Sequence, residues 1–139
     1  MTDMPITKDL LRAYERTRYI VYSDTPFILR IGNHSADLKK LHQSHGTVCS
    51  AFITAFNPDS EELMREQNEE RQRALKQELD QLGYSCYAGL GQPEDGNWQG
   101  EDSFLVINIP EPEAVRLQEK YGQLAIVYCE EDAIPRLIF

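Results

Sequence analysis

The chain is predicted to form an α+β fold, with a mixed or antiparallel sheet in ferredoxin-like βαββαβ order from residue 48 onward. Three observations carry that expectation. Val48 to Phe56 is almost continuously apolar, interrupted only by Ser50 and Thr54, as in a strand covered on both faces. A long segment after Asn57-Pro58 has helical periodicity. The later apolar runs alternate with helix signals, so the order becomes strand, helix, strand, strand, helix, strand. A helix, a hairpin and a second helix precede this core. Residues 1–47 and 48–139 are therefore expected to be two parts of one domain.

In chain order, Thr7 can cap a helix through Lys8–Arg16, with Leu10, Leu11 and Tyr14 as its apolar face. Arg18–Tyr22 and Phe27–Ile31 are strand-like in composition, and Ser23-Asp24-Thr25-Pro26 is a turn between them. Gly32–Ser35 breaks the chain. Ser35 can cap a short helix carrying Leu38, Leu41 and His42, which Gly46 ends. After the apolar strand, Asn57-Pro58 stops the ladder, because proline has no N–H to donate. Asp59 or Ser60 is then an N-cap, with Glu61 and Glu62 in the first turn of a helix running to Leu82 and closed by Gly83. Tyr84–Leu90 is a strand, residues 91–100 a Gly- and Pro-rich loop, and Ser103–Ile109 another strand. Pro110–Pro112 opens a helix that Gly122 ends, and Leu124–Tyr128 and Pro135–Phe139 are the last strands.

Composition narrows the function. The 139 residues carry a net charge of −9 and a pI near 4.8, which argues against a broad nucleic-acid-binding face. Lys8, Arg12, Arg16 and Arg18 form only a small basic patch. No apolar run has bilayer length and no signal-peptide pattern opens the chain, so a cytoplasmic protein without a membrane role is expected. Cys49, Cys86 and Cys129 are expected to be buried reduced thiols.

The long helix has an informative stripe. Met64, Asn68, Arg71, Leu75, Leu79 and Leu82 recur at spacings of three and four, which places Asn68 and Arg71 on the inward face. Two accounts are open for them. Thr54 or a carboxylate satisfies them structurally, or they face a polar pocket near the helix start. If the split βαβ order holds, the third core strand lies between the first and second, and the fourth lies beside the first. One edge of the sheet then collects Thr54, Asn57, the helix start, the 91–101 loop, Glu101, Ser103 and Gln123.

The same residues carry a resemblance. Leu29-Arg30-Ile31-Gly32, Ala51–Pro58, Asn68 with Arg71, Trp98 followed by Glu101 and Ser103, and Tyr121-Gly122-Gln123 with Ala125-Ile126 resemble a bacterial family of uncharacterised proteins, domain of unknown function 3293. The resemblance spans nearly the whole chain. It implies a single small cytoplasmic domain and supplies no mechanism.

The candidate ligand-binding set is Thr54, Asn57, Asn68, Arg71, Trp98, Ser103 and Gln123, with Glu101 as the candidate catalytic base. Arginine can fork onto a carboxylate or phosphate, Asn and Gln can read amides, and Trp can stack on a flat group. Glu101 is equally a salt-bridge partner for Arg71. Asp59, Glu61 and Glu62 at the helix start weigh against phosphate, and the glycine-rich loop lacks the lysine of a P-loop. His34, His42 and His45 lack the carboxylate or thiol spacing of a metal site, and Ser103 has neither a histidine nearby nor a nucleophile elbow. No pattern names a cofactor. The expected function is binding of a small polar or nucleotide-like ligand at one sheet edge. The alternative is a protein-interaction or regulatory module without catalysis.

Overall fold

The computed structural model describes residues 7–94 and 99–139. Four helices, α1 (Lys8–Arg16), α2 (Ala36–Ser44), α3 (Arg65–Gln81) and α4 (Glu111–Lys120), pack on one sheet. Its strands are β1 (Arg18–Val21), β2 (Phe27–Leu29), β3 (Ser50–Ile53), β4 (Cys86–Gln92), β5 (Glu101–Ile107), β6 (Ile126–Cys129) and β7 (Arg136–Ile138). The order across the sheet is β2-β1-β4-β5-β3-β6-β7, with each neighbouring pair antiparallel. The fold is α+β, and β5 lies between β3 and β4 with β6 beside β3, as the split βαβ order requires. The N-terminal hairpin extends the same sheet by pairing β1 with β4, and β7 extends it at the other end.

Both faces of β3 are buried, which is why its sequence does not alternate. Ala51 and Ile53 pack with Leu75 and Leu79 of α3 and with Ala114 and Leu117 of α4. Phe52 faces the other side, in a cluster with Tyr19, Val21, Phe27, Leu29 and Leu38. Between Phe52 and the hairpin the fit is close: a Cβ built on Gly89 would lie 2.6 Å from the Phe52 ring and 2.9 Å from the backbone oxygen of Ile20.

Several boundaries differ from the sequence expectation. The strand is shorter than 48–56, and Val48 is exposed. Gly91, Gln92 and Glu101 belong to a β4–β5 hairpin rather than to a long loop. The largest shift is in the long helix, which starts at Arg65 instead of Ser60. Asn57, Asp59 and Ser60 all have left-handed backbone, so Pro58–Ser60 forms a single 3-10 turn and the chain turns before any helix can propagate. The Asp59 N–H is held by the Gly122 carbonyl at 2.7 Å, and the start of α3 is capped by Gln67, whose side chain accepts from the Met64 N–H. Glu61 and Glu62 therefore lie outside the first turn of α3. Met64 and Leu82, placed on the inward stripe by spacing alone, are exposed, and Gln72 takes a buried place instead.

The cysteines are unpaired. Cys129 is buried, whereas Cys49 and Cys86 are only half-buried. Burial pushes the Cys86 thiol up to about 11. The histidines are spread over separate contacts: His42 to Ser50 at 2.7 Å, His45 to the Tyr87 hydroxyl at 2.7 Å, and His34 to the Asp132 carbonyl at 2.8 Å. Burial, then the charges of His45 and Lys39, hold the His42 imidazole below its ordinary 6.5. The unfolded chain thus binds this proton at a pH where the native protein does not. The contribution of His42 to stability is full above 6.5 and is lost as pH falls from there through its native value. Denaturant unfolding at about pH 7.5 and about pH 5.5 is expected to show that loss, and His42→Gln is expected to flatten it. An unchanged pH dependence in the variant would refute this assignment.

Candidate functional site

Because all neighbouring strands are antiparallel, β1, β5 and β6 begin at the end of the sheet where β3 and β4 finish. Thr54 follows β3, Gly91 lies near the end of β4, Glu101 opens β5 and Ala125 precedes β6. Together with α1, these segments enclose a cleft of about 90 Å³. It lies at the end of the central strands, whereas the sheet edges are β2 and β7.

Glu101 is the one acid among the described residues lining the cleft. Asn57 Nδ2 donates to its Oε2 at 2.7 Å. That orientation is dictated by the backbone, since Asn57 Oδ1 must accept from the Leu63 N–H at 3.0 Å and also takes Asn68 Nδ2 at 2.8 Å. Burial raises the Glu101 carboxyl above its ordinary range, and the Asn57 hydrogen bond offsets part of that. Among the described residues lining the cleft there is no Lys, Arg or His to balance it.

The other polar groups have largely committed their protons. Thr54 Oγ1 donates to the Asp102 carbonyl at 2.6 Å, and Ser103 Oγ donates to the Glu101 carbonyl at 3.0 Å. Gln123 Nε2 donates to the carbonyls of Phe56 at 2.9 Å and Tyr121 at 3.3 Å. Two carbonyl partners can be met only by the amide nitrogen, so the Gln123 oxygen is left as an acceptor. The Tyr19 hydroxyl donates to the Tyr14 carbonyl at 2.8 Å. The Tyr14 hydroxyl is raised by burial, partly offset by its hydrogen bond with Ser60, and raised further by the nearby Glu101 charge. What remains on offer is mostly acceptors: the Glu101 carboxylate, Ser103 Oγ and the Gln123 carbonyl.

The structure thus brings Thr54, Asn57, Glu101, Ser103 and Gln123 into one cleft. Asn68 and Arg71 are elsewhere. Asn68 exchanges two hydrogen bonds with Asn57, both at 2.8 Å, one of them to its backbone N–H. Arg71 donates Nε to the Ala55 carbonyl at 2.7 Å and Nη2 to the Tyr121 carbonyl at 2.5 Å. It makes no ion pair with Glu101; backbone carbonyls take its protons instead. Both residues are braces behind the cleft. Trp98 lies outside the described residues. Ser60 and Gly91 also line the cleft, as the expected helix start and 91–101 loop place them, whereas Tyr14, Tyr19 and Phe52 were not anticipated; Tyr14 and Tyr19 arrive only through the pairing of β1 with β4.

Among the described residues, no helix is long and apolar enough to cross a membrane. A family model described as Protein of unknown function (DUF3293) matches residues 53–126. That span includes the five polar residues above and leaves out α1 and β1. No curated protein and no solved structure matches the chain.

Proposed function

The chain belongs to the family described as Protein of unknown function (DUF3293), whose match covers just over half its length, and we propose that it binds a small polar ligand in the cleft at the strand ends. The observation that carries this is Glu101. Burying a carboxylate without a cation is costly, and structural carboxylates in such places are ordinarily paired or fully hydrogen-bonded. Here, among the described residues, a single side-chain amide donates to it. The same wall contains the left-handed residues Asn57 and Ser60, and backbone held in sparsely populated regions tends to gather where a ligand is clamped. A preformed, partly buried acceptor beside a strained turn fits a binding site better than a scaffold.

The cleft volume sets the ligand's size. At about 90 Å³ it is smaller than the ~150 Å³ cavity that admits benzene, so it takes a small molecule or the polar head of a larger one. Of a nucleotide-like ligand only a part would enter. We assign Glu101 the catalytic role in any conversion of that ligand, since its raised pKa moves it toward the range useful for a general base. The three unpaired cysteines support a reducing, cytoplasmic setting.

A thermal-shift screen against amino acids, nucleotides, sugar phosphates, small amines and divalent metals tests the proposal. Gly91→Val is the control. A Cβ at Gly91 would have nothing closer than the Glu101 carbonyl at 3.9 Å and Thr17 Cγ2 at 4.0 Å, both from cleft-lining residues. The valine therefore occupies cleft space, suits the strand, and is expected to change stability by less than about 1 kcal/mol. A saturable shift in the native protein that disappears in Gly91→Val is the expected result. No shift across the panel would remove the ligand reading and leave a protein-interaction module.

A further inference from the structure

We propose that the ligand presents a cationic nitrogen, a primary or methylated ammonium group, to Glu101 between the aromatic walls of the cleft. The inference rests on the reading that the cleft binds a ligand, and it names that ligand's chemistry. Three independent features converge on it. The only acid among the described lining residues is Glu101, and no base accompanies it, so an anionic group entering here would meet like charge with nothing to neutralise it. The hydrogen-bonding groups are matched to a donor. Thr54, Ser103, Gln123 and Tyr19 have directed protons to backbone carbonyls, and one of the two Asn57 amide protons goes to Glu101 itself. An ammonium brings up to three donors and no acceptor.

The third feature is aromatic. Tyr14, Tyr19 and Phe52 line the same cleft, with the Tyr19 and Phe52 rings edge-to-face at 5.3 Å. Aromatic rings attract cations through their quadrupole, and rings combined with one carboxylate are how ammonium groups are held in a desolvated place. The volume of about 90 Å³ suits such a head group. Phosphate, sulfate and carboxylate ligands have none of these three features in their favour.

The test is calorimetric titration of methylammonium, ethylammonium and ethanolammonium, each against a neutral isostere (methanol, ethanol, ethylene glycol) and against acetate, at constant ionic strength. The ammonium probes are expected to bind saturably, with the neutral isosteres at least about tenfold weaker and acetate not binding. Glu101→Gln keeps an oxygen for Asn57 while removing the charge. It is expected to lose at least about tenfold in ammonium affinity. Its melting temperature near neutral pH is expected to be no lower than that of the native protein. A carboxyl whose native pKa is raised costs stability as pH rises through that value, and the substitution removes this cost. The titratable groups among the described residues lining the cleft are Glu101, Tyr14 and Tyr19, and of these only the carboxyl changes charge in acid, so affinity is expected to fall as the pH is lowered.

Neutral or acetate probes binding as tightly as ammonium, or undiminished ammonium binding in Glu101→Gln, would overturn the assignment. A neutral or anionic ligand from the wider screen that is blocked by Gly91→Val would leave the cleft standing and the ammonium class refuted. Failure of every compound, charged or neutral, would take both down.

Discussion

Replacing Asn68 with leucine and Arg71 with methionine together is expected to lower the melting temperature by more than about 10 °C, from a loss of about 3–5 kcal/mol. Each substitution keeps side-chain bulk and strips hydrogen bonds from part-buried or buried backbone groups, of which the Tyr121 carbonyl keeps its longer bond from Gln123 at 3.3 Å. Leucine at 68 leaves the Asn57 N–H without its acceptor and frees the Asn57 amide that orients toward Glu101. Methionine at 71 removes the donors to the carbonyls of Ala55, which is fully buried, and Tyr121. Those two carbonyls are separated by more than sixty positions, so Arg71 ties the end of β3 to the end of α4. An unpaired buried polar group costs about 1–3 kcal/mol, and the methionine and leucine side chains recover only part of that by apolar burial. Thermal unfolding followed by circular dichroism measures the change. A stable or stabilised double variant would mean that the two residues are poised for a ligand at the expense of stability, and that their backbone bonds are incidental.

Gly89→Ala is expected to be the most damaging single methyl in the sheet, at about 3 kcal/mol. The new Cβ would meet the Phe52 ring at 2.6 and 2.9 Å and the Ile20 carbonyl at 2.9 Å. A flexible side chain could move aside, but Phe52 is fixed edge-on against Tyr19, and the Ile20 oxygen is backbone in the adjoining strand. Relief therefore requires β1 and β4 to separate or Phe52 to shift. Since Tyr19 and Phe52 also line the cleft, any ammonium binding is expected to weaken along with stability. Gly91→Ala, two residues along the same strand, is the matched comparison and is expected to be nearly neutral. Equal stability of the two variants in urea would show that the close approach at Gly89 relaxes without cost.

The contrast between these glycines is a fair measure of what could be read in advance. Both stand in the same glycine-rich stretch, and nothing in the sequence separates them. One supports a ring from a strand thirty-seven positions earlier, and the other borders a cleft. The local elements were legible because their causes are local. Thr7 and Ser35 cap the helices they precede, Gly83 and Gly122 take left-handed backbone just past helix ends, and the apolar runs become strands. Asn57, Glu101, Ser103 and Gln123 could be gathered from topology alone, since the split βαβ order fixes which strand ends coincide.

The start of α3 could not be read this way. Asp59-Ser60-Glu61-Glu62 has the composition of a helix start, yet the Gly122 carbonyl and the Asn57–Asn68 pair hold the chain in a turn there. Spacing likewise placed Asn68 and Arg71 inward without saying which groups they would meet, and backbone carbonyls rather than Glu101 took the protons of Arg71.

The sequence by itself therefore determined the fold class, the order of elements and a short set of polar residues at one end of the sheet. Those follow from periodicity, capping and turn chemistry, which act over a few residues. Only the tertiary structure decided that β1 pairs with β4, that Tyr14 and Tyr19 wall the cleft, and that Glu101 has no cation beside it among the described residues. Burial and charge balance are sums over segments distant in sequence, and a carboxyl acquires a raised pKa only when the chain has closed around it.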